Sequence, residues 1–100
     1  MARHIIEAIN IPPIPAKELR AWRTYCLGDD RSIWFYDGDP ATFQEVPTTQ
    51  LSDAIATMWT NSEPQLGTYD ALYVGCDDSS IWYTDAAQPG VWTRLGQIPQ

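Results

Sequence analysis

The sequence predicts a mainly β protein made of two homologous four-stranded antiparallel units, arranged like neighbouring blades of a propeller. The first observation is a repeat: residues 25–37 match residues 73–85 at a constant offset of 48, with seven of thirteen positions identical. The second is that each copy contains short β-rich segments separated by Gly, Pro and Asp turn residues. A period of this size is typical of arrays and propellers, in which one unit cannot bury its apolar face alone.

Each copy contains a predicted hairpin followed by a third strand. In the first copy, residues 23–27 and 32–36 flank a turn at 28–31, and a further strand covers 42–46. In the second copy, the hairpin strands are 71–76 and 81–84 around a turn at 77–80, and the further strand covers 91–95. Pro47 and Pro99 follow the third strands and close the units, because proline cannot donate to a strand ladder.

The first element of each copy is open to two interpretations. Read as strands, residues 4–9 and 53–59 complete two four-stranded units over 1–48 and 49–100, within one compact domain. The alternative is a helix near 51–59, because apolar residues there recur at helical spacing. Its members are Leu51, Ala54, Ile55, Met58 and Trp59. A helix would make this an α+β domain with a duplicated β-hairpin. Residues 16–23 are a second candidate short helix, with Leu19 and Trp22 on one face.

The charge of the chain excludes two classes of partner. Six basic and thirteen acidic residues give a net charge of −7. Nucleic acid and anionic membrane surfaces are both bound through Lys and Arg, so neither is expected as a partner. No apolar run is long enough to span a membrane, and Glu7 interrupts the place where a signal peptide would be apolar. We therefore expect synthesis in the cytoplasm without a signal peptide.

The two cysteines are expected to be free and buried. Under the offset of 48, Cys26 matches Val74 and Cys76 matches Gly28, so the thiols do not occupy equivalent positions. Buried free thiols are common in proteins made in a reducing compartment.

Aromatic residues beside carboxylates form the candidate binding site. Trp34 and Trp82 are the repeated aromatics, and each follows an isoleucine that would point to the opposite face of its strand. A flat indole face stacks on sugar rings, while acidic oxygens accept hydrogen bonds from hydroxyl groups. Carbohydrate is therefore the first expected ligand, bound by these residues: Trp34, Trp82, Tyr36, Tyr83, Trp92, Asp37 and Asp85. The alternative is that the tryptophans fill a seam between neighbouring units.

The sequence predicts no enzyme, metal or cofactor chemistry. The tandem pairs Asp29-Asp30 and Asp77-Asp78 are typical of tight turns, where the side chains accept bonds from nearby backbone. His4 is the one histidine, and no Cys-x-x-Cys or Gly-rich phosphate loop accompanies it. We therefore expect no nucleophile–base pair and no zinc site.

The second copy resembles one blade of the fucose-specific lectins of fungi and soil bacteria. The resemblance lies in residues 52–59, 71–74, 80–83 and 91–93. It implies a β-propeller whose ring is closed by oligomerisation, and binding of a sugar by an Arg, a Glu and a stacking Trp. Leu72 stands at or near the Arg position and Tyr83 at the Glu position. In the first copy Arg20 or Arg23 would supply the Arg, but Phe35 stands at the Glu position.

Two units alone would leave strand edges and apolar faces open. Three arrangements would cover them: a symmetric homo-oligomer, a sandwich of the two sheets, or docking on a larger assembly such as a virion. The expected function is thus a non-catalytic oligomeric binding module. The alternatives are a structural or accessory protein of a larger particle, such as a phage virion component, and an acidic inhibitor that mimics nucleic acid.

Overall fold

Two four-stranded antiparallel sheets form the structure, a computed structural model that describes residues 3–60 and 71–99. Each sheet is a meander in chain order, so the prediction of a mainly β fold with two homologous units is confirmed. The first sheet contains β1 (Ile5–Ile11), β2 (Arg23–Gly28), β3 (Ile33–Asp37) and β4 (Gln44–Val46). The second contains β5 (Ile55–Thr60), β6 (Ala71–Cys76), β7 (Ser80–Asp85) and β8 (Thr93–Gln97).

The repeated hairpins are fixed by the same turn chemistry. In the first sheet, Asp30 accepts hydrogen bonds from the backbone N–H and the hydroxyl of Ser32, and Ser32 Oγ accepts from Trp34 Nε1 at 2.9 Å. The second sheet repeats this arrangement with Asp78, Ser80 and Trp82, again at 2.9 Å. The tandem aspartates therefore belong to turns, and each turn also ties the tryptophan of its return strand.

The strand register extends the sequence repeat to the first strand of each sheet. Ile5 pairs with Gly28 and Glu7 with Leu27, with a bulge between the two pairs. In the second sheet Ile55 pairs with Cys76 and Thr57 with Gly75, and the bulge lies at the same place. Since Gly28 and Leu27 match Cys76 and Gly75 in the repeat, β1 and β5 are equivalent strands at an offset of 50. Residues at equivalent positions of the two sheets, with an offset of 50 in β1 and β5 and of 48 in the hairpins, are called counterparts below.

The helical interpretation of residues 51–59 is wrong, because β5 occupies Ile55–Thr60. The bulge inserts one extra residue between Ile55 and Thr57. Ile55 and Met58 therefore both point into the core, although they are three residues apart. A bulge in a strand has thus produced the spacing that is typical of a helix.

The expected short helix at 16–23 is replaced by a 3-10 turn at Pro15–Lys17, after which β2 begins at Arg23. Leu19 is buried and forms a β-bridge with Ile14, whereas Trp22 is 59% exposed. The two side chains therefore do not share a face.

One apolar cluster contains buried residues of both sheets. Its largest fully buried members come from both sheets: Tyr25, Ile11, Leu27, Ile33, Ile55, Leu72, Val46 and Val74. Strands β1 and β5 lie side by side. Cys26 and Cys76 are both buried and free, as expected from the sequence. Among residues 3–60 and 71–99, no helix has the length and hydropathy needed to cross a membrane.

Candidate functional site

The seam between the two sheets is held by one buried guanidinium. Arg23 is 7% exposed and makes a bidentate ion pair with Asp37, with an Nη2–Oδ2 distance of 2.8 Å. Its Nη1 donates across the seam to the carbonyls of Ala86 and Ala87, at 2.8 and 3.1 Å. The hydroxyl of Tyr25 donates to the same Ala86 carbonyl. This group is called the polar lock below.

Other contacts bind the sheets along the length of the seam. Trp92 donates from Nε1 to the carbonyl of Pro47 at 2.8 Å, and Arg31 donates to the carbonyl of Ile55 at 3.1 Å. At the inner strands, Thr57 donates its hydroxyl to the carboxylate of Glu7 at 2.6 Å. The two sheets are therefore joined by polar contacts as well as by the core.

The two sheets present opposite faces to the seam. The first sheet contributes the face that carries Tyr25 and Ile33, whereas the second contributes the face that carries Val74 and Trp82. In the repeat, Val74 matches Cys26 and Trp82 matches Trp34, which lie on the other face of the first sheet. The sheets are thus stacked head to tail, which means that unlike faces of the two equivalent sheets meet in the seam. The open face of each sheet is equivalent to the face that the other sheet buries in the seam.

The open face of the first sheet contains a cavity of about 280 Å³. This pocket face is lined by Arg3, Ile5, Cys26, Gly28, Trp34 and Phe43. Arg3 lies over the Trp34 ring at 4.9 Å from its centre and pairs with Asp30 at 2.7 Å. Ile5 is 59% exposed and Phe43 41% exposed.

Five of the residues that line the pocket have counterparts in the buried seam. Ile55, Val74, Cys76 and Trp92 belong to the core cluster, and Trp82 packs against it. Phe43 directly precedes the residue that pairs with Phe35, and Trp92 directly precedes the residue that pairs with Tyr83. Since Phe35 and Tyr83 match in the repeat, Phe43 and Trp92 are counterparts. The pocket is therefore the uncovered version of a surface that the chain covers in its second sheet.

The open face of the second sheet presents a row of aromatic rings, called the ladder face. Trp59 stacks on Tyr73 with ring centres 5.8 Å apart and planes 9° apart, and Tyr73 contacts Tyr83 at 6.1 Å and 43°. In the seam, the counterparts Tyr25 and Phe35 lie 5.5 Å apart at 42°. The ladder face thus repeats the ring geometry of a face that is buried.

A compensating exchange of side chains accompanies this likeness. Neighbouring Ile9 and Leu27 of the first sheet are replaced by Trp59 and Gly75 in the second. The Trp59 ring lies 3.5 Å from the position that a Cβ of Gly75 would occupy. A larger ring in one strand has therefore taken the space that a leucine fills in the other sheet.

The structure distributes the candidate ligand residues over three places instead of one site. Trp34 and Tyr36 lie on the pocket face, Tyr83 lies on the ladder face, and Trp82 and Trp92 lie in the seam.

The two candidate aspartates are both held in ion pairs. Asp37 pairs with Arg23, and Asp85 pairs with Lys17 at 2.9 Å. In the strand register, Asp37 lies on the face that carries Tyr25, and Asp85 lies on the face that carries Tyr73.

Three surface aromatics were missed by the sequence reasoning: Trp59, Tyr73 and Phe43. The identity of Tyr25 and Tyr73 in the repeat was the available signal for the second of these. Trp59 lies in a segment whose pattern fits either a strand or a helix, so the sequence does not show which face of the sheet its side chain occupies. Phe43 has no identical partner, because its counterpart is a tryptophan.

Burial raises the pKa of the Cys26 and Cys76 thiols, which favours their protonated form. Within residues 3–60 and 71–99, no three His, Cys, Asp or Glu side chains come together in a way that could hold a metal ion. Comparison with protein-family models, with curated proteins and with solved structures found no match.

We predict that Arg23→Ala weakens the seam substantially. The substitution removes a bidentate ion pair and two charge-assisted bonds to the carbonyls of Ala86 and Ala87, so we expect a loss of roughly 2–4 kcal/mol in the free energy of unfolding. Urea denaturation measures it. Arg20→Ala is the control, since Arg20 is exposed and should change stability by less than about 0.5 kcal/mol. Equal losses in the two variants would contradict the polar lock.

Tyr25 should make stability fall at high pH. Burial raises the pKa of Tyr25 to about 12, from about 10 in an unfolded chain. Its contribution is therefore complete below about pH 10 and is lost as the pH rises through 12, because the unfolded chain releases the proton first. Tyr25→Phe removes this titration. We expect its unfolding free energy to decline less steeply than that of the wild type, by about 1 kcal/mol per pH unit in this window. Parallel slopes would contradict the assignment.

Proposed function

We propose that this chain is a non-catalytic binding module that works as a homo-oligomer, in which other copies cover its two open sheet faces. The observation that carries the proposal is the pocket face: four of its six lining residues are counterparts of residues buried in the seam, and a fifth, Trp34, is the counterpart of the partly buried Trp82. The first sheet covers the equivalent surface of the second sheet in the seam. The pocket face is therefore suited to contact with another protein chain.

The apolar side chains left exposed on these faces supply the driving force. Ile5 and Phe43 on the pocket face and Trp59 on the ladder face are 59%, 41% and 37% exposed. Complete burial of such side chains contributes about 1.5–3 kcal/mol each. Residues of this size, placed around one cavity and along one aromatic row, are typical anchors of protein interfaces.

Self-association predicts a native mass that is a small multiple of 11.3 kDa, measured by light scattering on a sizing column. Trp59→Asp should shift the protein to the monomer, because it places a charge in the aromatic row of the ladder face. Val91→Asp is the matched control, since Val91 is 76% exposed and lies in the loop before β8, outside the strands of both sheets. A wild-type monomer at every concentration would contradict the proposal, and would direct attention to a different partner in a larger assembly.

Carbohydrate binding is a second candidate function, favoured by the parallel stacking of Trp59 and Tyr73. The Trp59 ring is 37% exposed, and the part of it that Tyr73 does not cover is an apolar surface against which a sugar ring can pack. Tyr83 extends the row and is the one candidate ligand residue from the sequence that lies on it.

This second candidate predicts that oligosaccharides change the intrinsic tryptophan fluorescence. Trp59→Phe should reduce the response to a binding glycan, because Trp59 is the exposed indole of the ladder face. Trp22→Phe is the control, since Trp22 is exposed away from the ladder. Unchanged emission across a broad glycan panel would rule out this function, and oligomer formation would leave the ladder face unavailable for it.

A further inference from the structure

We infer that the ladder face of one copy covers the pocket face of the next, in the register of the seam within the chain. The partner is a second copy of this chain, and the interface is head to tail. This inference rests on the proposed self-association and specifies which surfaces meet.

The two open faces are complementary because the seam already joins their counterparts. The ladder face is the counterpart of the face that carries Tyr25, and the pocket face is the counterpart of the face that carries Val74. The exchange of Ile9 and Leu27 for Trp59 and Gly75 keeps the ladder face partly filled, because the Trp59 ring lies beside Gly75. Ile81, the counterpart of buried Ile33, then faces the pocket around Trp34 of the next copy.

One hydrogen bond of the polar lock has a counterpart across the new interface. Tyr25 donates its hydroxyl to the carbonyl of Ala86. At the offset of 48, Tyr73 takes the place of Tyr25 and Gly38 takes the place of Ala86. The Tyr73 hydroxyl of one copy therefore donates to the Gly38 carbonyl of the next.

The charged part of the lock is absent from the interface between copies. Ala71 is the counterpart of Arg23. In the strand register Ala71 lies opposite Asp85, as Arg23 lies opposite Asp37. The interface thus lacks a guanidinium directed at the facing carbonyls. Copies consequently separate under milder conditions than the two sheets of one chain.

A head-to-tail interface has a different symmetry from a two-fold dimer. Each copy uses one face as donor and the other as acceptor, so both faces are covered only when the ring closes. Two, three or four copies would supply about four, six or eight blades, the range in which propellers close.

The test mixes two variants that each lose one face. Trp59→Asp blocks the ladder face, and Ile5→Asp blocks the pocket face at a residue that is 59% exposed. Circular dichroism checks that both variants retain the β fold. We expect each variant alone to be monomeric, and an equal mixture to form a 1:1 dimer of 2 × 11.3 = 22.6 kDa, because one intact face of each kind remains.

Three outcomes would overturn the inference. If either variant dimerises alone, like faces meet and the interface is not head to tail. If the wild type is oligomeric but the mixture gives no dimer, other surfaces associate, and self-association survives without this geometry. A monomeric wild type would overturn the proposed function together with the inference.

A gain of affinity provides the second arm. Ala71→Arg places a guanidinium beside Asp85, which also binds Lys17, and opposite the Gly38 carbonyl of the next copy. The dissociation constant between copies should fall at least tenfold, a change typical of one added charge-assisted bond. Ala71→Met is the control, because it adds length without a donor. Equal affinities of the two variants would contradict the register.

Discussion

The buried guanidinium of Arg23 is the interaction on which the arrangement of the two sheets depends. An ionised side chain that is 7% exposed is costly unless every donor has a partner. Here the partners come from both sheets: the carboxylate of Asp37 on one side, and the carbonyls of Ala86 and Ala87 on the other. Because Asp37 belongs to the same sheet as Arg23, sliding of one sheet over the other would keep the ion pair but would break the bonds from Arg23 to the two carbonyls. The apolar core brings the sheets together, and the guanidinium fixes their relative position.

The residues opposite the guanidinium explain why a loop edge participates in the core. Ala86 is fully buried although it lies beyond the end of β7, because its carbonyl accepts from both Arg23 and Tyr25. A backbone carbonyl buried in this way is stable only when it is fully bonded. The short side chain of Ala86 also allows the guanidinium to approach the backbone closely.

Most of the strands could be predicted from the sequence, because the repeat and the turn aspartates mark both hairpins. The strand at 55–60 is predicted only as one of two interpretations, since its bulge places Ile55 and Met58 on one face at helical spacing. The candidate site was harder still. Strand alternation separates Ile33 from Trp34, but it does not say which of the two faces the neighbouring sheet. Trp34 lies on an open face and its counterpart Trp82 lies against the core, a difference that only the stacking of the sheets decides.

The short connection between Val46 and Ile55 gives the seam an advantage of proximity. Because β4 and β5 are joined covalently, their sheets meet at an effective concentration on the order of millimolar, whatever the concentration of the protein. Formation of the seam is therefore a first-order event that belongs to folding. The polar lock, which needs a buried charge and two carbonyls in fixed positions, therefore forms within one chain. Its formation does not depend on the protein concentration.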